Sequence, residues 1–379
     1  MTDLHRLPDN AALPCVDDLV ASLRPQTPLS CFNAAVVREA GAAFVAGFPG
    51  CVMYAVKCNL EPAVLQALWD GGVQHFDCAS LPEVALVSNL LPSAKIHFMH
   101  PVKGREAIAR AYQEYCVRDF VFDGVGEFDK IMQETGHAAD LGLIVRLALP
   151  AGPAKCDLSG KFGAEPDEAA ALLRAARPHT GRLGVSFHVG SQCMDPLAWR
   201  SAIKLAGQII QASGVAVDII DVGGGFPVAY ADQDPQPLAA FFAEIEAGID
   251  ALDLPDVVLW AEPGRALAAA GTSIVVQVQM RRGGALYIND GVFGGLADAG
   301  SNAMVFPTRL LRASDAPEQE WIFFGPTCDS ADIMHGPFTL PADVAEGDWI
   351  EIGQAGAYNG CLRSSFNGFG TSLAVEVRA

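Results

Sequence analysis

Positive charge is scarce in this chain: 25 lysines and arginines stand against 44 aspartates and glutamates, a formal net charge of −19 over 379 residues. An acidic surface of that size repels polyanions, which points away from nucleic acid or an anionic membrane as the main partner. A cationic small molecule would suit it, and so would plain solubility. Long apolar runs are missing too. No stretch reaches membrane-spanning length, and no basic start leads into an early apolar segment, so neither an anchor nor an export signal is expected. The ten cysteines, at 15, 31, 51, 58, 78, 116, 156, 193, 328 and 361, form no CxxC pair. No His/Cys spacing resembles a zinc site, so no metal is expected. The cysteines read as reduced thiols of a cytoplasmic protein. Internal repeats and low-complexity segments are likewise lacking.

What is present is globular: 51% of residues are hydrophobic and 18% charged. The stretch 27–32 has strand character, and Asn33 is placed to cap a helix running to residue 46. Short apolar runs then recur at 52–57, 74–79, 95–99, 119–123, 141–149, 183–190, 217–222 and 257–262. Helical patterns fill the intervals, as at 61–69, 104–115, 167–177 and 237–252. Eight strands alternating with helices predict a parallel (β/α)8 barrel, with a doubly wound open sheet as the competing α/β arrangement. From about residue 272 the texture changes to alternating apolar and polar residues (273–280, 285–289, 349–352) between turns rich in Gly, Pro and Asp. That is an antiparallel pattern. The expected organisation is a barrel over 28–265 and a second, mostly antiparallel β domain from 266–379, joined by the segment 1–27.

Chemistry in such a barrel sits at the C-terminal ends of the strands. The strand ends here carry Lys57, Asp77 with Ser80, His100, Asp123, Arg146, His188 with Ser191, Asp221 with Gly223-Gly224-Gly225, and Glu262 with Arg265. Lys57 closes the run Tyr54-Ala-Val-Lys57-Cys-Asn59. Buried and deprotonated, it is an amine nucleophile able to form a Schiff base; just past the strand end, it is a solvated lysine. Three glycines after a strand present backbone N–H groups to an anion, or make an ordinary tight turn. Arg265 in Glu262-Pro-Gly264-Arg265 adds a guanidinium suited to phosphate, or an ion pair on a surface turn. His188, alone, reads as a hydrogen-bonded core histidine. So many ionisable or glycine-rich strand ends exceed what structural turns need, and together they read as one site.

These residues carry a resemblance. The chain resembles the fold-type III pyridoxal-phosphate-dependent decarboxylases of basic amino acids, the ornithine, lysine, arginine and diaminopimelate group, and most of all the ornithine branch. The resemblance runs from about residue 27 to 369. Its blocks are Tyr54-Ala-Val-Lys57-Cys-Asn59, Phe76-Asp77-Cys-Ala-Ser80, His188-Val-Gly-Ser191-Gln192, Asp221-Val-Gly223-Gly-Gly225-Phe-Pro227 and Ala261-Glu262-Pro-Gly264-Arg265. Further blocks are Asn289-Asp-Gly-Val-Phe293-Gly-Gly295, Gly325-Pro-Thr-Cys328-Asp329-Ser330, Gly347-Asp-Trp349, Gly356-Ala-Tyr358 and Phe366-Asn-Gly-Phe369. It implies a barrel with a second β domain, the cofactor pyridoxal 5'-phosphate and α-decarboxylation of ornithine (to putrescine) or lysine (to cadaverine) in polyamine biosynthesis. Lys57 would hold the cofactor, and Gly223, Gly224, Gly225, Ser191, Arg265 and Tyr358 its phosphate, with Gly264 in the same turn. His188 would stack on the ring, and Glu262 would pair with the ring nitrogen, which argues for decarboxylation over racemisation. Asp77, Glu83 and Arg146 would have supporting positions. Cys328 would protonate the α-carbon and Asp329 meet the far end of the substrate, both reaching into a partner subunit's site, so the resemblance implies a homodimer with shared active sites.

Two positions depart from the ornithine pattern. Phe293 stands where a tyrosine is usual, and Asn302 falls near an aspartate that grips the distal amine, with Asp298 a candidate to compensate. The substrate is therefore the open question. A decarboxylase of a modified or non-basic amino acid in secondary metabolism is the competing enzyme reading. A catalytically dead regulator, like the antizyme inhibitors, is disfavoured by the presence of Lys57, His188, Glu262 and Cys328.

Overall fold

A computed structural model describes residues 4–5, 13–156, 158–254 and 256–378; the rest of the expected 1–27 segment lies outside the described residues. Two short strands come first, β1 (Leu4–His5) and β2 (Leu29–Phe32). Eight parallel strands follow: β3 (Cys51–Ala55), β4 (His75–Cys78), β5 (Lys95–Phe98), β6 (Asp119–Phe122), β7 (Gly142–Arg146), β8 (Arg182–Ser186), β9 (Ile219–Asp221) and β10 (Val258–Ala261). They close into a barrel in sequence order, with β10 pairing back to β3 through Trp260 opposite Cys51. The chain divides into two compact units, and the barrel unit is Gly41–Pro227 with Pro235–Gly264.

All eight barrel strands lie where the apolar runs predict them, because a strand buried on both faces reads as a continuous hydrophobic run. The ends differ. The expected strand 52–57 stops at Ala55 and turns through a short 3-10 segment, Val56–Cys58. The runs 141–149 and 183–190 overshoot, since their apolar residues continue into the loops that follow strands ending at Arg146 and Ser186. Helices fill the crossovers. Pro62–Asp70 opens with proline in its first turn, where the missing N–H has no intrahelical partner to lose. Leu81–Leu90 is capped by the Ser80 hydroxyl. Met53, Met99, Val121, Ile144, Ile219 and Trp260 pack inside the barrel, so its interior is a core and not a channel. Toward the N-terminal ends of the strands, His75 Nδ1 lies 2.9 Å from His97 Nε2, and His97 Nδ1 2.9 Å from Asp119 Oδ2.

The other unit contains the chain through Ala40, Val228–Asp234 and Arg265 onward. Its strands are β1, β2, β11 (Thr272–Arg282), β12 (Ala285–Ile288), β13 (Thr308–Leu310), β14 (Glu318–Phe324), β15 (Ile333–Pro341), β16 (Trp349–Ile352) and β17 (Leu373–Glu376). They form one sheet in which β2/β11, β11/β12, β11/β16, β13/β16 and β14/β15 are antiparallel. The pairs β1/β17, β2/β17 and β12/β14 are parallel. Because β2 hydrogen-bonds to β11 and β17, residues 28–40 go with this sheet and not with the barrel span 28–265. Asn33 caps the following helix, Ala34–Gly47, by accepting from the Val36 N–H at 3.2 Å. A helix that the polar N-terminal stretch hides, Val16–Leu23, buries Val16, Leu19 and Val20 against Leu29, Val275 and Val375.

Candidate active site at the barrel mouth

Local sequence sets the position of Lys57. Ala55 N–H donates to Pro263 O at 3.1 Å, tying the end of β3 to the end of β10. Beyond it the chain must turn, and Tyr54 Oη holds that turn by donating to Asn59 O at 3.0 Å. Val56 and Cys58 point into the core, so Lys57 between them points out. Its side chain is 40% exposed and its Nζ lies 2.6 Å from Oδ2 of Asp77, which is 1% exposed. The lysine thus sits just past the strand end, half in solvent, and is held by a buried carboxylate.

The remaining barrel residues gather around this pair. Glu83 takes the Ala79 N–H at 2.7 Å and so closes the start of its own helix; burial raises its carboxyl above the usual range. Arg146 ends β7 and lines a small cavity with His188, Phe162 and Ser159. His188 accepts the Gly190 N–H at Nδ1 over 3.0 Å, which puts any ring proton of the neutral form on Nε2. Burial, then the positive charges of Arg146 and Lys57, push its pKa well below the ordinary value, so the ring is neutral at pH 7. Ser191 exchanges both backbone hydrogen bonds with Cys156, at 3.0 and 3.1 Å, which fixes where its hydroxyl stands. Of the other two strand ends, Asp123 pins a loop through the Gly163 N–H at 2.9 Å, and His100 packs edge-on to Phe162. Both brace the loop after β7.

The glycine turn is built for close approach. Gly223 and Gly225 have φ of +66° and +105°, and a Cβ on any of the three would strike a backbone carbonyl: that of Phe187, Glu262 or Gly190. The first amide is already used: Gly223 N–H donates to Asp221 Oδ1 at 2.9 Å. The expectation that all three N–H groups face an anion therefore narrows to Gly224 and Gly225. Glu262 N–H donates to Gly223 O at 2.8 Å, locking the turn to the end of β10. Asp77, Asp221 and Glu262 form a buried acidic group in which Asp77 Oδ1, Asp221 Oδ2 and Glu262 Oε1 receive no hydrogen from a donor among the described residues. Burial, reinforced by Asp221 and Asp77, pushes Glu262 well above the usual carboxyl range, and burial moves Asp221 up to about 6. Buried acceptors without donors call for a cationic or N–H-bearing ligand. A pyridinium ring fits that requirement, with a neutral imidazole for its face and a side-chain-free turn for its phosphate.

In the second unit, Arg265 is buried and Nη1 donates to Tyr230 Oη at 2.7 Å and to Asp298 Oδ2 at 2.8 Å. Its guanidinium carbon lies 5.0 Å from the centre of the Tyr358 ring. Asp298 takes Asn302 Nδ2 on its other oxygen at 2.8 Å. Each carboxylate oxygen of Asp298 thus has a partner, and its ion pair is with Arg265. Phe293 packs against Phe366, ring centres 5.3 Å apart. Cys328 and Asp329 are exposed on the turn after β14. Buried Asp332 pins that turn by accepting from Val292 N–H at 2.9 Å and Thr327 N–H at 3.0 Å, and Asn367 Oδ1 takes the Cys328 N–H at 2.9 Å. Sequence reasoning missed Tyr230 as the partner of Arg265; it sits in an irregular loop whose pattern carries no signal.

Comparison with known proteins gives consistent matches. The family model described as the pyridoxal binding domain of pyridoxal-dependent decarboxylases matches residues 34–269. An ornithine decarboxylase of Panagrellus redivivus is 34% identical over 349 residues, covering 83% of this chain and 77% of that protein. The structure of Paramecium bursaria Chlorella virus arginine decarboxylase bound to agmatine superposes with a TM-score of 0.84 at 29% identity, over 96% of this chain and 99% of that one. The lysine/ornithine decarboxylase from Vibrio vulnificus complexed with cadaverine gives 0.83 at 28% identity, over 96% and 98%.

Proposed function

Since the chain belongs to the pyridoxal-dependent decarboxylase family, we propose that it releases the α-carboxylate of a basic amino acid, L-ornithine or L-lysine, as CO2, leaving putrescine or cadaverine. The observation that carries this reading is the buried, donor-seeking Glu262 beside the half-exposed Lys57–Asp77 pair. Pyridoxal phosphate, when bound, supplies the electron sink for the pair of electrons left on the α-carbon as CO2 departs. The chain's own residues do the rest. Lys57 would supply the amine that holds the cofactor. Asp77 keeps that ammonium placed at the strand end. Neutral His188 offers a flat face that does not repel a cationic ring. Glu262 takes the ring N–H, and Ser191, Gly224, Gly225, Arg265 and Tyr358 take the phosphate, with Gly223 and Gly264 shaping the turns. Arg146 offsets part of the acidic charge.

Cys328 is the proposed donor of the proton that returns to the α-carbon. With Asp329 it stands on a turn exposed in the single chain, which supports their use in a partner subunit's site within a homodimer. Asp329 reads the distal cation. Asn302 completes that end: its Nδ2 is held by Asp298, so its carbonyl oxygen is the part that meets a substrate. An acceptor oxygen welcomes an ammonium and tolerates a neutral donor, which gives this chain a weaker grip on charge than a second carboxylate would. A role in polyamine synthesis in the cytoplasm follows from the same reading, supported by ten cysteines that are all free thiols. Among the described residues no helix is long and apolar enough to cross a membrane.

The test is a decarboxylation assay across ornithine, lysine, arginine, diaminopimelate and a neutral amide analogue of equal length. Release of CO2 from ornithine or lysine at the highest kcat/KM is expected. CO2 from none of the basic amino acids would overturn the substrate assignment.

A further inference from the structure

Three segments distant in sequence converge on the guanidinium of Arg265, and one of them has no part in the function proposed above. Val228–Asp234 follows the glycine turn in sequence yet belongs to the same compact unit as Arg265. Its backbone is fixed there: Ala231 N–H donates to Val305 O at 2.9 Å, and Tyr230 and Gln233 exchange backbone hydrogen bonds of 3.0 and 3.1 Å. The Tyr230 ring is buried and meets Phe306 edge-on, ring centres 5.3 Å apart. Its hydroxyl oxygen accepts from Arg265 Nη1 at 2.7 Å, and the same nitrogen donates to Asp298 Oδ2 at 2.8 Å. The second segment carries Asp298, and its backbone is seated on both sides. The Asp298 N–H donates to Asn359 Oδ1 at 3.2 Å, and the Asp298 carbonyl takes the Met304 N–H at 3.0 Å. The third segment carries Asn359, fully buried, whose Nδ2 donates to Ala355 O at 3.2 Å. Beside it in sequence stands Tyr358, with its ring centre 5.0 Å from the guanidinium carbon.

An arginine carries two hydrogens on Nη1, and here one goes to a neutral acceptor and one to a carboxylate. Two acceptors on one terminal nitrogen fix the roll of the guanidinium plane as well as its place. A long side chain without them keeps rotamer freedom that a ligand has to remove on binding. The two holders act differently on an incoming anion. Asp298 neutralises the arginine and repels the anion; Tyr230 holds the arginine without adding negative charge. We propose that Tyr230 is a positioning residue of the phosphate subsite: its hydroxyl sets the plane of Arg265 before the cofactor arrives, so its contribution reaches the phosphate and not the ring or the aldehyde. This rests on the reading of Arg265 as a phosphate residue. A core tyrosine that only satisfies a buried guanidinium would give stability with no preference among ligands.

Selectivity for the phosphate group separates the two roles. The full-length chain, freed of cofactor, is titrated with pyridoxal 5'-phosphate and with pyridoxal, which has a hydroxyl in place of the phosphate. The readout is the ratio of the pyridoxal Kd to the pyridoxal phosphate Kd. Tyr230→Phe removes the hydroxyl and keeps the ring that packs on Phe306. It should weaken the phosphorylated ligand about fivefold, on the scale of one net hydrogen bond, and leave pyridoxal within about twofold, so the ratio falls. Equal weakening of both ligands, or an unchanged ratio, would overturn the proposal whatever happens to Tm. Arg265→Lys keeps the charge but loses the planar fork, and it tests the premise. It should lower the ratio at least as far. If it does so while Tyr230→Phe does not, Arg265 stays a phosphate residue and the positioning role of Tyr230 falls. If Arg265→Lys leaves the ratio at the wild-type value, the phosphate reading of Arg265 falls and takes the proposal with it. Should Tyr230→Phe not fold, Phe306→Leu decides in its place, since it keeps the hydroxyl but loosens the seat of the ring: a lowered ratio is expected, and an unchanged one would overturn the proposal.

Discussion

Asp298→Ala distinguishes a structural ion pair from a substrate contact. The Arg265 and Asp298 side chains are 4% and 2% exposed, and their contact is 2.8 Å. Removing the carboxylate leaves a guanidinium in an enclosed site with Tyr230 Oη, 2.7 Å away, still at that nitrogen. Breaking a buried pair from one side costs about 3–5 kcal/mol, and the surviving tyrosine argues for the lower end, about 3 kcal/mol. For a unit of this size each kcal/mol lowers Tm by roughly 2–4 °C, so a fall of roughly 6–12 °C is expected by differential scanning calorimetry. Asn302 also loses its fixed orientation, because its Nδ2 donates to the same carboxylate. Activity should fall for ornithine and for a neutral analogue of equal length alike, since neither meets Asp298 directly. An unchanged Tm together with a loss confined to the diamino acid would refute the argument and restore Asp298 as the group that reads the distal charge.

Three further outcomes follow from the same geometry. Mixing inactive Lys57→Ala and Cys328→Ala subunits should restore activity in a fraction of sites, because an exchanged dimer holds one site with both residues intact; no regain above either parent would exclude a shared site. Glu262→Gln should lower kcat more than it raises KM, by several kcal/mol in transition-state stabilisation at most, on the scale of a charge-assisted contact in a water-excluded site. At the other end of the barrel, burial, with His97 adding, depresses His75 from 6.5 to about 4. The unfolded chain takes up that proton first, so stability should fall as pH drops from 6.5 toward 4. In urea titrations His75→Gln should flatten that slope, and an unaltered slope would assign it elsewhere.

The barrel was legible because its strands, buried on both faces, repeat as apolar runs such as Asp119–Phe122 and Gly142–Arg146. Their ends were not, since Phe187 and Leu147, just past the last strand residues, are as apolar and buried as the residues before them and still donate to the next strand, at Asp221 O and Ser186 O. The helix Val16–Leu23 went unseen although Val16, Leu19 and Val20 keep helical spacing, because polar and proline residues surround it. Lys57, His188, Glu262 and the glycine turn were legible as strand-end residues. The partnerships were not. Asp298 lies 33 residues from Arg265, and no local pattern records that the pair meets. The charge of Asp298 is visible in the sequence, but its ion pair with Arg265 is a property of the fold.

Lys57 as the residue that holds the cofactor is the centre of the account, and borohydride reduction of the cofactor-loaded enzyme tests it most directly. Reduction makes the lysine–cofactor link permanent, and digestion with mass spectrometry locates it. The account predicts a single labelled peptide containing Tyr54-Ala-Val-Lys57-Cys-Asn59, with no label in Lys57→Ala. A label on Lys155 or Lys161, in the loop that follows β7, would contradict it.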